Sequence, residues 1–126
     1  MTPRFVHLHL HSEYSLTDST VRIPELVARC VALGLPAVAI TDTSNLFALV
    51  KFYTAAQARG LKPLVGVDAL LQEEGERAEP SRLVLLCQDD RGYRNLTRLV
   101  TRSYLEGQGR HGPTLDRSWL DADSTA

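Results

Sequence analysis

Three histidines alternate near the start of the chain, in the run HLHLH at His7, His9 and His11, and Asp18 follows in the next polar stretch. Residues 4–11 predict a β-strand, and successive side chains of a strand point to opposite faces. The three imidazoles would then lie on one face, with His9 and His11 toward the carboxyl end. A strand buried on both faces has little use for three imidazoles, so this pattern suggests a metal site.

Two more carboxylates, Asp42 and Asp68, lie at or near the ends of two later apolar runs. If these runs are parallel strands, their carboxyl ends meet at one edge of the sheet, beside His9 and His11. Imidazoles and carboxylates together suit zinc, manganese or iron in phosphoester hydrolysis. The alternative is that such carboxylates only cap helix N-termini, as Asp42 easily could. The residues alone leave both interpretations open.

The elements that must position these residues follow from apolar periodicity and from Gly and Pro punctuation. In chain order we predict a strand over 4–11, a helix over 22–34, a strand over 35–42, a helix over 46–59, a strand over 62–71, a charged loop over 72–82, a strand over 83–88, a helix over 89–107 and a short helical turn within 115–120. For the second helix we expect a buried stripe and a polar cap, namely Leu46, Leu49, Val50 and Tyr53 with Ser44 or Asn45.

Strands that alternate with helices imply an α/β fold with a parallel sheet and right-handed crossovers. About four parallel strands are expected. They could form a small open sheet or the first half of an α/β barrel. In either case, ligand-binding groups should gather at the carboxyl ends of the strands.

Composition narrows the class of protein further. The chain has 126 residues, 44% of them hydrophobic, which suits one domain with a buried core. With a net charge of −1, the chain lacks the excess of positive charge that is typical of proteins that bind nucleic acid or an anionic membrane. Two widely separated cysteines in apolar runs, Cys30 and Cys87, are typical of reduced thiols in a cytoplasmic protein. No apolar segment is long enough for a membrane span, and no signal peptide is visible.

Three long segments resemble one known family. They are FVHLHLHSEYSLTD, AITDTSNLFALVKFYTAAQARGLKPLVGVD and LVLLCQDDRGYRNLTRLVTRSYLEG. In order and spacing they are similar to the N-terminal PHP domain of bacterial replicative DNA polymerase III alpha subunits. The resemblance implies a distorted parallel α/β barrel with a multinuclear metal site at the strand ends. It matches ligand positions to His9, His11, Asp18, Asp42 and Asp68, and it implies that residues 1–126 are the N-terminal portion of a PHP domain.

The chain also departs from the family's metal-binding pattern. Thr43 stands where the family has a histidine in TDHG, Arg82 stands at another histidine position, and Ser19 replaces a glycine. A guanidinium adds a fixed positive charge that disfavours a nearby cation, and it could pair with the aspartates of the site instead. The resemblance therefore implies a vestigial site. No cofactor is expected in this segment, although zinc or manganese would suit a retained site.

The resemblance implies a function in DNA replication. The parent protein would be a DNA-directed DNA polymerase, a nucleotidyltransferase that uses magnesium in another domain. This segment would be a scaffold and a docking surface for the proofreading exonuclease subunit within the polymerase III holoenzyme, with DNA contacted elsewhere in the parent. Two alternatives stay open, an active metal-dependent phosphoesterase or proofreading nuclease, and the error-prone paralogue of the same subunit.

Overall fold

The computed structural model describes residues 5–73 and 79–121. Its longer elements are α1 (Ile23–Ala32), β1 (Ala37–Thr43), α2 (Leu49–Ala58), β2 (Lys62–Leu71), β3 (Ser81–Leu86) and α3 (Asp90–Glu106). Shorter ones are the two-residue strands β4 (Gln108–Gly109) and β5 (Gly112–Pro113) and two 3-10 helices, Glu13–Asp18 and Arg117–Trp119. The residues outside these ranges include residue 4, which begins the first predicted strand. They also include part of the predicted loop over 72–82 and the end of the chain.

One three-stranded sheet, in the order β1-β2-β3, organises the molecule. β1 and β2 are parallel, as predicted, but β3 runs antiparallel to β2, so the expectation of about four parallel strands is wrong. The reason lies in the connection. A parallel return needs a crossover of about a dozen residues or more, usually a helix, and residues 72–80 are too few for one. A hairpin-like return is the short solution, and it leaves the α/β class unchanged.

The histidine-rich segment runs beside β1 without forming a regular strand. His7 makes one isolated parallel bridge to Val38, and the His7 carbonyl accepts from Ala39 N–H at 2.8 Å. The next bond of this kind joins the Leu10 carbonyl to Thr41 N–H at 2.8 Å. The two bonds are thus three residues apart in the histidine segment, from His7 to Leu10, but only two residues apart in β1, from Ala39 to Thr41. This extra residue is a bulge, and it explains why the predicted strand over 4–11 is not continuous.

Two apolar clusters cover the sheet. The helices α1 and α2 pack on β1 through a group that includes Ile23, Val27, Val38, Ile40 and Phe52. The longer helix α3 packs on β2 through a group that includes Val67, Leu96, Leu99 and Leu115. Within the described residues, no helix is both long and apolar enough to span a membrane.

The second helix differs from its prediction. It begins at Leu49 after Ala48, with no side-chain cap, and its fully buried residues are Phe52 and Ala56. Two members of the expected buried stripe, Val50 and Tyr53, are 77% and 45% exposed. The apolar residues of this segment fit more than one helical stripe, and packing on β1 selected the one that includes Phe52.

The predicted cap residues bind elsewhere. Ser44 has a positive φ of 55°, outside the geometry of a helix cap. The Asn45 carbonyl oxygen accepts from Phe47 N–H at 3.1 Å, and its amide donates to the Tyr14 carbonyl at 2.9 Å. Asn45 therefore ties the turn before α2 to the first 3-10 helix.

The third helix forms within its predicted range, but Tyr93 and Tyr104, which its apolar spacing places on the buried stripe with Leu96, are 39% and 40% exposed. Asp89 caps α3 by accepting from Gly92 N–H at 2.8 Å. The predicted short turn is the second 3-10 helix, and its Trp119 packs beside the α3 cluster.

Candidate functional site

A buried carboxylate, Asp68 of β2, lies at the centre of a polar group. His9 and His11 each place Nε2 2.8 Å from Asp68 Oδ2, and Arg82 Nη1 donates to the same oxygen at 3.1 Å. The other oxygen, Oδ1, is buried and has no hydrogen-bond partner among the described residues. One carboxylate oxygen thus accepts from three cationic or imidazole groups, while its neighbour is unsatisfied.

Strand register determines which side chains reach this group. Thr43 pairs with Asp68 across β1 and β2, and Arg82 pairs with Leu70 across β2 and β3. Positions that pair across a sheet share a face, as do positions two apart on one strand. Thr43, Asp68 and Arg82 therefore project from the same face. We call it the inner face, because the helix-packed clusters occupy the opposite one.

The bulged segment brings the two imidazoles over the inner face. Leu10 is held at both backbone groups, since its carbonyl accepts from Thr41 N–H and its N–H donates to Thr41 Oγ1 at 2.9 Å. His9 and His11 flank this anchor, and their rings meet edge to face at 5.2 Å. His7 does not join them, because its ring packs against Phe5 instead, at 4.7 Å.

The surroundings keep Asp68 ionised. Burial alone would raise its pKa, because desolvation penalises the charged form. The hydrogen bonds from His9 and His11 and the positive charge of Arg82 outweigh burial and hold the pKa below its usual value of 3.8. An ionised carboxylate only accepts hydrogen bonds, so both imidazoles present Nε2–H to it.

Asp18 lies at the rim of the group. Its Oδ2 accepts from Thr43 Oγ1 at 3.4 Å and lies 3.9 Å from His11 Nδ1 and 4.0 Å from Arg82 Nη2. These long distances and its 41% exposed side chain indicate a loosely held carboxylate. Asp18 is near the site but does not enter the cluster around Asp68.

Asp42 is turned away from the group. It pairs with Val67 in the register, so its side chain lies on the face opposite Asp68. Its Oδ1 accepts from Ser12 N–H at 2.6 Å and from the Ser15 hydroxyl at 2.7 Å, and its Oδ2 accepts from the Ser12 hydroxyl at 2.7 Å. These contacts tie the loop after the histidines to β1. Sequence reasoning missed both serines, although polar residues before a buried aspartate were the available signal.

A profile of the PHP domain matches residues 7–126. The chain belongs to the PHP domain family.

Relatives of this PHP domain carry the name DNA polymerase III subunit alpha. Those from Vibrio cholerae and Escherichia coli K12 are 44% and 47% identical over 118 residues, 94% of this chain. That from Pseudomonas aeruginosa is 47% identical over 120 residues, 95% of this chain. In each case the match covers 10% of the relative, so the chain spans about a tenth of the length of these proteins.

Solved structures share the fold of this PHP domain. An amidohydrolase from Chromobacterium violaceum aligns with a TM-score of 0.60 and 23% identity, covering 82% of this chain and 34% of its own. A protein from Bifidobacterium adolescentis, assigned as a metal-dependent phosphoesterase, aligns with a TM-score of 0.56 and 20% identity, covering 79% and 32%. Sequence identities of 20–23% support a shared fold and nothing more. They agree with a partial α/β barrel.

The PHP fold implies a metal centre, and the residues present can be tested against one. His9, His11 and Asp68 offer ligand atoms within 4.8 Å of one another, and the unpartnered Asp68 Oδ1 could face a cation. However, the Arg82 guanidinium contacts the same carboxylate, and Asp42 is committed to the opposite face. A fixed positive charge within 3.1 Å of the central ligand does not fit a cluster of several metal ions.

Proposed function

We propose that this chain is the N-terminal portion of the PHP domain of a DNA polymerase III alpha subunit and serves DNA replication in the cytoplasm. Identities of 44–47% to three proteins of that name support this. The parent would be a DNA-directed DNA polymerase, and its magnesium-dependent chemistry would belong to another domain. This segment would not catalyse nucleotidyl transfer.

A longer barrel is consistent with the surface of this segment. Leu86 projects from the inner face of β3 and is 41% exposed. An apolar side chain at this place would be covered if more of a barrel packed against the inner face. The relatives are about ten times longer than this chain, which leaves ample sequence for that role.

We propose that the metal site is vestigial and that Arg82 replaces the cation. The observation that carries this is the contact of Arg82 Nη1 with Asp68 Oδ2 at 3.1 Å. A buried carboxylate needs an opposite charge or strong donors, and a guanidinium supplies both without any ion. His9 and His11 add two hydrogen bonds to the same carboxylate oxygen. The site would then hold the inner face together rather than catalyse a reaction.

We propose that this scaffold docks the proofreading exonuclease subunit and joins the polymerase III holoenzyme, with DNA contacted by other parts of the parent. The names of the relatives, which describe a subunit, support membership of an assembly. The test is capture of the purified exonuclease subunit of the same organism by the immobilised chain. Arg82→Gln serves as the matched variant, because docking should survive a change confined to the site. Failure of the unmodified chain to capture the subunit would contradict the docking role of this segment.

A second candidate function is metal-dependent phosphoesterase activity. The buried, unpartnered Asp68 Oδ1 favours it, because an orphaned carboxylate oxygen is where a single ion would bind. Hydrolysis of p-nitrophenyl phosphate in the presence of manganese or zinc, lost in His11→Ala, would support this function over the scaffold. No metal-stimulated hydrolysis would leave the scaffold as the function.

A further inference from the structure

The exposed side of α3 carries a row of arginines. Arg91, Arg94, Arg98 and Arg102 follow one another at spacings of three, four and four residues, and all four are exposed. With about 3.6 residues per turn, these spacings place them on one face of the helix. The buried residues of α3, including Leu96, Leu99 and Ser103, lie on another face. We call these four residues the arginine row.

Most of this positive charge makes no ion pair with the described part of the chain. Arg102 pairs with Glu106 at 2.8 Å and lies over the Trp119 ring at 4.2 Å. Arg91, Arg94 and Arg98 make no ion pair with any residue in the described ranges 5–73 and 79–121. Like charges one helical turn apart repel one another and cost the helix a few tenths of a kcal/mol. The row therefore lowers the stability of the isolated domain slightly, whereas a helix face with alternating positive and negative charges would raise it.

An exposed apolar side chain, Leu105, lies beside the row. Leu105 is 79% exposed, which among the described large hydrophobic residues is second only to Leu16, at 80%. It borders a shallow surface depression of about 270 Å³ together with Thr97, Thr101 and Arg98. Charge along the row and an apolar contact at its end are the features that an amphipathic ligand needs.

We propose that the arginine row is a docking surface for an acidic amphipathic helix of a protein partner. Arginines four residues apart lie about 6 Å apart along the axis, as do carboxylates at i and i+4 on a facing helix. A bound helix with one Glu or Asp per turn would relieve the repulsion within the row and place an apolar side chain at Leu105. This inference goes beyond the docking role proposed above, because it depends on the chemistry of the partner and not on which subunit supplies it.

The charge of the whole chain favours an acidic protein over nucleic acid. Fifteen Asp and Glu residues oppose fourteen Lys and Arg, and four of those fourteen are in the row. Outside the row, fifteen acidic residues therefore oppose ten basic ones. This excess of negative charge would repel the extended phosphate backbone of a duplex. A short helix can contact the row alone.

The test uses a labelled helical peptide with Glu at every fourth position and Leu on the same face, and an analogue with Gln in place of every Glu. Binding to the full chain is measured by fluorescence anisotropy at low and at physiological salt. The row variant is Arg94→Gln with Arg98→Gln. The matched control is Arg59→Gln, an exposed arginine at the end of α2. Circular dichroism checks that the variants fold.

We expect the Glu peptide to bind at least about tenfold more tightly than the Gln peptide, with an affinity that falls as salt rises. The row variant should lose about tenfold in affinity, and Arg59→Gln should stay within about twofold of the unmodified chain. Equal binding of both peptides, or undiminished binding by the row variant, would overturn the proposal. So would tighter binding of a duplex oligonucleotide than of the Glu peptide, since the row would then recognise nucleic acid. If the row variant does not fold, the two peptides and the salt dependence decide with the unmodified chain.

Discussion

Arg82 Nη1 lies 3.1 Å from Asp68 Oδ2, and the two side chains come from neighbouring antiparallel strands two residues out of register. Asp68 is almost fully buried, whereas the Arg82 side chain is 54% exposed. The guanidinium thus reaches from solvent to a carboxylate that burial would otherwise penalise. This arrangement lets Asp68 stay ionised on the inner face with His9 and His11 as its remaining partners.

Replacing the central carboxylate should destabilise the fold in a pH-dependent way. Asp68→Asn is expected to lower the free energy of unfolding at pH 7 by about 2 kcal/mol, because charge-assisted hydrogen bonds are lost. The folded-state pKa of Asp68 is lowered, so its contribution is present above the unfolded pKa and is lost as pH falls through the folded pKa. Urea unfolding should therefore show a smaller difference between the two proteins at pH 3 than at pH 7. A difference that grows toward acid pH would contradict this account.

Restoring imidazoles at the substituted positions should create metal affinity. Arg82→His with Thr43→His removes the guanidinium and adds two ligands on the inner face beside Asp68. We expect this double variant to bind zinc or manganese, because two imidazoles that can bind the metal directly are added and a repelling charge is lost. Arg82→Gln is the control, since it removes the charge and supplies no strong ligand. If the control binds metal as well as the double variant, the missing imidazoles are not what limits affinity.

The serine contacts to Asp42 should matter for stability. Ser15→Ala removes the 2.7 Å hydrogen bond to Asp42 Oδ1, which keeps only Ser12 N–H, and it removes the acceptor of Thr43 N–H. We expect a loss of about 1–3 kcal/mol in the free energy of unfolding. Ser118→Ala removes a hydrogen bond of the same length, 2.7 Å, to the exposed carboxylate of Asp116. This variant should lower the free energy of unfolding by less than about 0.5 kcal/mol. Urea denaturation of both variants gives the comparison. Equal losses would mean that Asp42 does not anchor the loop.

Gly66 allows β2 and β3 to lie close together. A Cβ at this position would come within 2.5 Å of the Leu85 carbonyl oxygen and 3.1 Å of the Thr41 methyl group. We expect Gly66→Ala to lower the free energy of unfolding by about 1–3 kcal/mol through overpacking. Gly109→Ala is the matched control, because nothing lies within 4 Å of its added methyl group. Thermal or urea unfolding should show a clear loss for the first variant alone.

Much of the fold could be predicted from the sequence. Helices α1 and α3 form within their predicted ranges, 22–34 and 89–107, and Asp89 caps α3. The apolar runs that lack alternation form β1 and β2, as expected for strands buried on both faces. The direction of β3 was missed, because apolar periodicity is the same for either direction. Only the length of the connection carries that information.

The candidate site was predicted in part for a related reason. Parallel strands bring their carboxyl ends together, so His9, His11 and Asp68 converge as the topology requires. Asp42 does not join them, because a one-residue difference in register places a side chain on the opposite face. In a run such as AVAITD, which is apolar on both faces, nothing in the sequence shows which face Asp42 takes.

Titration calorimetry with manganese and with zinc shows whether Arg82 substitutes for metal in this PHP domain. The purified chain is first stripped with a chelator, and His9→Ala is titrated in parallel. We expect no stoichiometric binding and no difference between the two proteins. Stoichiometric binding at micromolar affinity that His9→Ala abolishes would contradict it.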